Sequence, residues 1–230
     1  MNFRKNSKMK NTIDVCFLHA DTFLEQYAKE TLMARTKCKI NIYSAPKIES
    51  YADEINSLIN IGDSEYVVIF QSNLLVDNNW CEELLFFSKN ITDAGCVGIA
   101  NSNNNDLVYT PLLSENDELK NVYTSKNNII EGIIMVKRSL ITNDIGWFDK
   151  LFDNTGFEQA EFSLKLAFSG KNNFYIPKQR CIEMETPKRN EKFSKKTEFG
   201  IKLINELVKA NITFEEKFYA KGSIGKIKID

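Results

Sequence analysis

Short apolar runs alternate along this chain with longer stretches whose apolar residues recur at helical spacing. IDVCFL at 13–18 predicts a strand, followed after His19-Ala20-Asp21 by a helix from about Thr22 to Ala34. KINIY at 39–43 predicts a second strand that stops at Ser44-Ala45-Pro46, since a proline disfavours helical geometry in the residue before it. A helix over about Ile48–Ile61 follows, with Gly62 expected as its left-handed C-terminal residue. YVVIF at 66–70 is apolar at every position, the pattern of a strand covered on both faces, and so belongs at the sheet centre.

Gln71-Ser72-Asn73 ends that strand, and Trp80 opens the helix WCEELLFFSKN before a short strand at 96–100. Residues 101–128, rich in Asn, Ser and Asp, read as a long irregular segment, either a binding loop or disordered. IIEGIIMVKR at 129–138 returns to strand, with Gly132 marking a bulge or a close backbone approach. A helix over about Glu158–Ser169 buries Phe157, Ala160, Leu164 and Phe168 on one stripe, pairs Glu161 with Lys165 and ends at Gly170. NFYI at 173–176 gives a last strand before Pro177, and an amphipathic helix over about 194–210 closes the domain. This order predicts an α/β fold of one domain, a mostly parallel central sheet with helices on both faces. The expected boundaries are a basic arm at 1–12, the domain at 13–212 and a tail at 213–230.

Composition narrows the partners. With 43% hydrophobic residues the chain can bury a sizeable core, so disorder of the whole is excluded. Thirty Lys and Arg against thirty-one Asp and Glu leave no basic field to attract nucleic acid. Cys16, Cys38, Cys81, Cys96 and Cys181 are odd in number and never spaced as CxxC, which argues against a disulfide framework and a zinc site, and fits a reducing cytoplasm. No apolar run approaches the ~20 residues of a membrane span. Arg4, Lys5, Lys8 and Lys10 form either a solvated arm or a peripheral contact with the anionic inner membrane surface.

The sequence lacks GxGxxG after a strand, HExxH and GxSxG, and Gly222–Lys226 is too closely spaced for a phosphate loop. From about Asn56 to Glu185 it instead holds, in order, an apolar strand with a polar triplet, WCEELL, VGIA, GIIMVKRSLITNDIGWFDKLF and GFEQAEFSLKLAFSGKNNFYIP. This succession resembles the inverting, GT-A-fold glycosyltransferases of family 2. In that family the corresponding parts are a strand with a DxD triplet, a helix, a strand, an acceptor-side G-x-x-x-x-x-R…G-x-F-D segment and a G-x-E-D-x-D-L…Y-x-P helix.

The resemblance implies roles, and the chain departs from several of them. Gln71-Ser72-Asn73 stands where carboxylates hold a divalent metal on the donor diphosphate, and amides bind magnesium or manganese far more weakly. Asn73 is left as a metal or phosphate contact, or the triplet is a polar turn. Gln159 replaces the family's aspartate base, and a neutral amide accepts no proton, so Glu158 either takes over the base or serves only as an acid at a helix N-terminus. Glu183 and Glu185 stand near the family's metal-site histidine, as replacement ligands or solvated charges. The single histidine, His19, follows the first strand as a donor contact or a structural residue. Gly132, Trp147, Phe148 and Asp149 keep the acceptor-side pattern, although Trp147 and Phe148 also suit a core.

The implied activity is inverting sugar transfer from a nucleotide-sugar donor to a glycan or lipid-linked acceptor. A catalytically inactive relative, serving as a scaffold for a glycosyltransferase partner or a glycan, is the alternative, because likeness of fold does not fix function.

Overall fold

The apolar runs expected as strands do pair, and their order sets where the polar strand ends gather. The computed structural model describes residues 12–18, 22–44, 50–101, 107–112, 114–125, 128–153, 157–184, 200–207 and 209. Its strands are β1 (Thr12–Leu18), β2 (Lys39–Tyr43), β3 (Tyr66–Gln71), β4 (Leu74–Val76), β5 (Ala94–Asn101), β6 (Leu107–Pro111), β7 (Asn121–Ser125), β8 (Ile133–Lys137) and β9 (Asn172–Glu183). The helices are α1 (Thr22–Ala34), α2 (Tyr51–Ile61), α3 (Trp80–Asn90) and α4 (Glu158–Phe168). Residues 200–207 are also helical, part of the helix expected over 194–210.

The strands form one nine-stranded sheet in the order β2-β1-β3-β8-β5-β9-β7-β6, with β4 on β9. β1 pairs in parallel with β2 and β3, and β5 with β9. β8 runs antiparallel between β3 and β5, β7 antiparallel to β9, and β6 antiparallel to β7. Following these pairings, β1, β2, β3, β5, β6 and β9 share one direction, and β4, β7 and β8 oppose it, so the sheet is mostly parallel, as expected.

Alternation along each strand loads both faces. Ile13, Val15, Phe17, Val68 and Phe70 pack with Ala28 and Leu32 of α1 and with Trp80 and Leu84 of α3. Cys16, Leu18, Val67 and Ile69 turn the other way, onto Ala52, Ile55 and Leu58 of α2 and Phe162 and Leu166 of α4. Helices therefore cover both faces, which is why YVVIF has no polar position: all five residues are buried.

Five local expectations are corrected. Helix α2 starts at Tyr51, where Ser50 accepts the Asp53 N–H at 3.1 Å as an N-cap. Gly62 is extended, with φ −88°, rather than left-handed. Glycine is required there by close approach, since a Cβ would lie 2.1 Å from Asp14 Oδ2. The 101–128 segment contains the β6–β7 hairpin, whose outer strand leaves Val108 and Tyr109 exposed and so shows no buried stripe in the sequence. β4 is a further strand, of only three residues. Finally, β9 continues past Pro177, because the β5–β9 register shifts between Gly98↔Tyr175 and Ala100↔Arg180. That irregularity accommodates a residue with no N–H to donate.

Candidate active site

In a sheet of this kind ligands bind beyond the carboxyl ends of the strands. At that edge lie Gln71 at the end of β3, Asn101 at the end of β5, Gly132 just before the antiparallel β8, and the first residues of α2 and α4, Tyr51 and Glu158. The Tyr51 hydroxyl is buried and has no hydrogen-bond partner among the described residues. The Gln71 amide stands beside it, near enough to affect its ionisation but outside hydrogen-bonding geometry. Burial foremost, then the charge of Glu158, pushes the tyrosine pKa up.

Glu158 is 7% exposed in the first turn of α4, where the helix dipole favours a negative charge. Its neighbour Gln159 clamps the backbone of one residue from both sides: Gly132 N–H donates to Oε1 at 2.7 Å, and Nε2 donates to Gly132 O at 3.0 Å. The partners fix the amide's orientation, since an N–H needs the oxygen and a carbonyl the nitrogen. Gly132 has φ +99°, a conformation glycine adopts without strain. The preceding Glu131 N–H donates to Tyr175 Oη at 2.9 Å. Glu131–Gly132 and Glu158–Gln159 thus dock as two dipeptides. Although Glu131 is an exposed residue, enough protein surrounds its carboxylate that desolvation first, and Glu158 second, raise its pKa.

The polar triplet divides. Gln71 is half-buried beside Tyr51, whereas Ser72 is 1% exposed and its Oγ has no partner among the described residues. Asn73 Nδ2 donates to Glu183 Oε1 at 3.0 Å, and Asn101 Nδ2 to Glu183 Oε2 at 3.1 Å. The Met184 N–H donates to Asn73 O at 2.8 Å, locking the strand ends together. One carboxylate with both oxygens engaged by amides is a poor donor set for a hard divalent ion. No group of three or more His, Cys, Asp or Glu among the described residues is placed to hold a metal, so Asn73 and Glu183 do not fit a tight magnesium or manganese site. His19 and Glu185 lie outside the described residues.

On the acceptor side, Phe148 is 3% exposed and stacks on Phe162 at 4.4 Å between ring centroids, which corrects its assignment: it belongs to the core. Asn56 holds its peptide from both sides at 3.0 Å. Trp147 is half-buried, with its carbonyl accepting from Lys165 Nζ at 2.8 Å, and Lys165 also makes the expected pair with Glu161, at 2.7 Å. Asp149 is exposed and caps the Leu151 N–H at 2.9 Å. Arg138, the arginine of the acceptor-side pattern, lies at the opposite, amino edge of the sheet, 2.7 Å from Asp14.

The structure therefore groups Tyr51, Gln71, Glu131 and Glu158, and joins Asn73 to Glu183 and Asn101. Tyr51, Glu131 and Asn101 were not anticipated. The signal for Glu131 was its place beside Gly132, and for Tyr51 its place at the helix start after the second strand.

No family model and no curated protein matches the chain. Solved structures do share its architecture. GalNAc-T7, with UDP, GalNAc and Mn2+, superposes with a TM-score of 0.58 at 11% identity, covering 79% of this chain and 45% of that one. This is the fold of GT-A glycosyltransferases. S. aureus TarS 1-349, in complex with UDP-GlcNAc, gives 0.57 at 11% identity over 86% of this chain and 66% of its own. The mannosyltransferase PcManGT from Pyrobaculum calidifontis, with GDP-Man and Mn2+, gives 0.56 at 13% identity over 78% and 58%. The chain spans 45% to 66% of the length of these GT-A proteins. Among its described residues no helix is long and apolar enough to cross a membrane.

Proposed function

We propose that this GT-A-fold protein is a glycosyltransferase that moves a sugar from a nucleotide-sugar donor to a hydroxyl of a glycan or lipid-linked acceptor, with inversion. The observation that carries this reading is Glu158, a buried carboxylate at the carboxyl edge, grouped with Tyr51, Gln71 and Glu131. In the proposed step the acceptor hydroxyl oxygen bonds to the donor's anomeric carbon as that carbon's bond to the nucleoside diphosphate breaks. The bonding pair leaves with the diphosphate and the hydroxyl proton passes to Glu158. His19, Gln71, Ser72 and Asn73 would face the donor, and Gly132, Trp147 and Asp149 the acceptor. Because the triplet supplies no carboxylate, donor binding would depend only weakly on magnesium or manganese.

Gln159 favours a second reading. Both ends of its amide are committed to Gly132, so this residue acts as a structural clamp. A pseudo-glycosyltransferase, binding a glycan or a glycosyltransferase partner without turnover, would retain the fold in this way. Release of nucleoside diphosphate from a nucleotide-sugar panel, with a mixed saccharide acceptor pool, separates the two. On the enzyme reading, Glu158→Gln lowers kcat by ~10²–10⁴ with donor affinity nearly unchanged. Donor binding without turnover in the parent would support the pseudo-enzyme, and undiminished turnover in Glu158→Gln would remove the base assignment.

A further inference from the structure

Tyr175, whose hydroxyl accepts the Glu131 N–H, begins a row of aromatic rings that leaves the candidate active site. In the sheet register Tyr175 faces Tyr123 of β7, and Tyr123 faces Tyr109 of β6, so the three side chains share one face. That face is the α2 and α4 side, since Tyr175 and Tyr123 belong to the same packed cluster as Phe162. Exposure rises along the row: Tyr175 is 1% exposed, Tyr123 half-buried and Tyr109 54% exposed.

The outer rings are held rather than loose. Tyr109 meets Tyr123 edge-on, with centroids 6.0 Å apart at 76°, and its hydroxyl donates to Asn121 Oδ1. The Arg180 guanidinium lies over the Tyr123 ring at 5.9 Å. Ile182, two residues further along β9 and therefore on the same face as Arg180, is 57% exposed. Tyr175 is the buried inner end of the row; its accessible part is Tyr123 and Tyr109 on neighbouring strands ~4.8 Å apart, with Arg180 over Tyr123, about the footprint of one pyranose ring.

We infer that Tyr109, Tyr123 and Arg180 form an extended subsite for a glycan acceptor, binding a pyranose ring beyond the one that reacts. The chemistry matches: a pyranose presents C–H faces to aromatic rings and hydroxyls to amide and guanidinium groups, and this surface offers both in a fixed arrangement. An accessible aromatic pair with a guanidinium over it at a sheet edge marks a binding surface, and the Glu131–Tyr175 hydrogen bond at the buried inner end of the row, which ties it to the candidate site, points to the acceptor as its occupant. The inference rests on the glycan-acceptor reading above, yet its test requires no donor.

Full-length protein is titrated, without nucleotide, with mono- to tetrasaccharide ladders of glucose, N-acetylglucosamine, galactose, mannose and xylose. At least one ladder should bind about tenfold more tightly at three or four sugars than at one. Tyr109→Ala should abolish that increment with the monosaccharide value and the thermal unfolding midpoint unchanged, whereas Tyr109→Phe should keep it. A length increment lost in Tyr109→Ala supports the subsite even if no nucleotide sugar binds, in which case only the transferase reading fails. Donor binding with no length dependence in any ladder overturns the subsite and leaves the transferase reading standing. A length increment that survives Tyr109→Ala also overturns it. So does a self-associating parent that Tyr109→Ala renders monomeric in sedimentation while no ladder binds, because the occupant is then a second copy of the chain.

Discussion

The two edges of the sheet treat buried polar groups in opposite ways. At the amino edge Asp14, fully buried on β1, accepts from Ser64 N at 2.8 Å, Ser64 Oγ at 2.7 Å, Asn41 Nδ2 at 3.0 Å and Arg138 at 2.7 Å. Arg138 in turn donates to the Ser64 and Ile59 carbonyls. Every oxygen lone pair there has an internal partner, the arrangement a buried ion needs to offset its desolvation. At the carboxyl edge the Tyr51 and Ser72 hydroxyls are buried without a partner among the described residues, and Glu131 and Glu158 sit close enough to repel. The two hydroxyls, unlike Asp14, have no partner among the described residues. The contrast separates residues that hold the sheet together from the residues proposed above to meet a ligand.

Breaking the amino edge should have the largest effect. Arg138→Leu strands the Asp14 charge, and chemical denaturation should show a loss of ~3–5 kcal/mol. A loss below ~1 kcal/mol would mean that the staple does not anchor the sheet. Next comes Gln159→Asp, which places an aspartate where the glycosyltransferases that the sequence resembles have their base, but is too short and lacks the donor for Gly132. It should cost ~1–3 kcal/mol by the same measurement, more than the shape-conserving Glu158→Gln. A stable Gln159→Asp variant would show that the clamp is dispensable.

Tyr51→Phe sharpens the contrast in sign. Deleting a buried hydroxyl that has no partner should leave stability equal or higher, by up to ~1 kcal/mol. A clear loss would reveal that the hydroxyl is already satisfied, and the two edges would no longer differ there.

The smallest effect is electrostatic. The folded state raises the Glu131 pKa, so at low pH it binds the proton more tightly than the unfolded chain does. That contribution to stability is fully present below the unfolded carboxylate's ~4.3 and is lost as pH rises through the folded value. Glu131→Gln should therefore be slightly more stable than the parent at neutral pH, with the gain fading as pH falls toward 4. A gain that is constant across this range would exclude ionisation as its cause.

These edges differ also in how far the sequence discloses them. YVVIF shows its central position because burial on both faces removes every polar residue, and Glu158 shows its place through the helix pattern that follows it. Strand direction leaves no such mark: the all-apolar IIMV of β8 suits either sense, and only the sheet order reveals it as antiparallel. Tyr109 and Val108 lie on an exposed edge strand, so the hairpin carries little buried stripe to detect. The role of Arg138 was hidden because its partner Asp14 lies 124 positions away, inside a run that reads simply as strand. Gln159 likewise reads as a lost base until Gly132 is seen against it.

Isothermal titration of the parent protein with UDP- and GDP-sugars, each with manganese and again with chelator, tests whether the carboxyl edge is a donor site. At least one should bind, and removing the metal should weaken it less than about tenfold, because the proposed donor site would offer amides and hydroxyls rather than a carboxylate triplet. Failure of every nucleotide sugar to bind under both conditions would show that this edge is not a donor site.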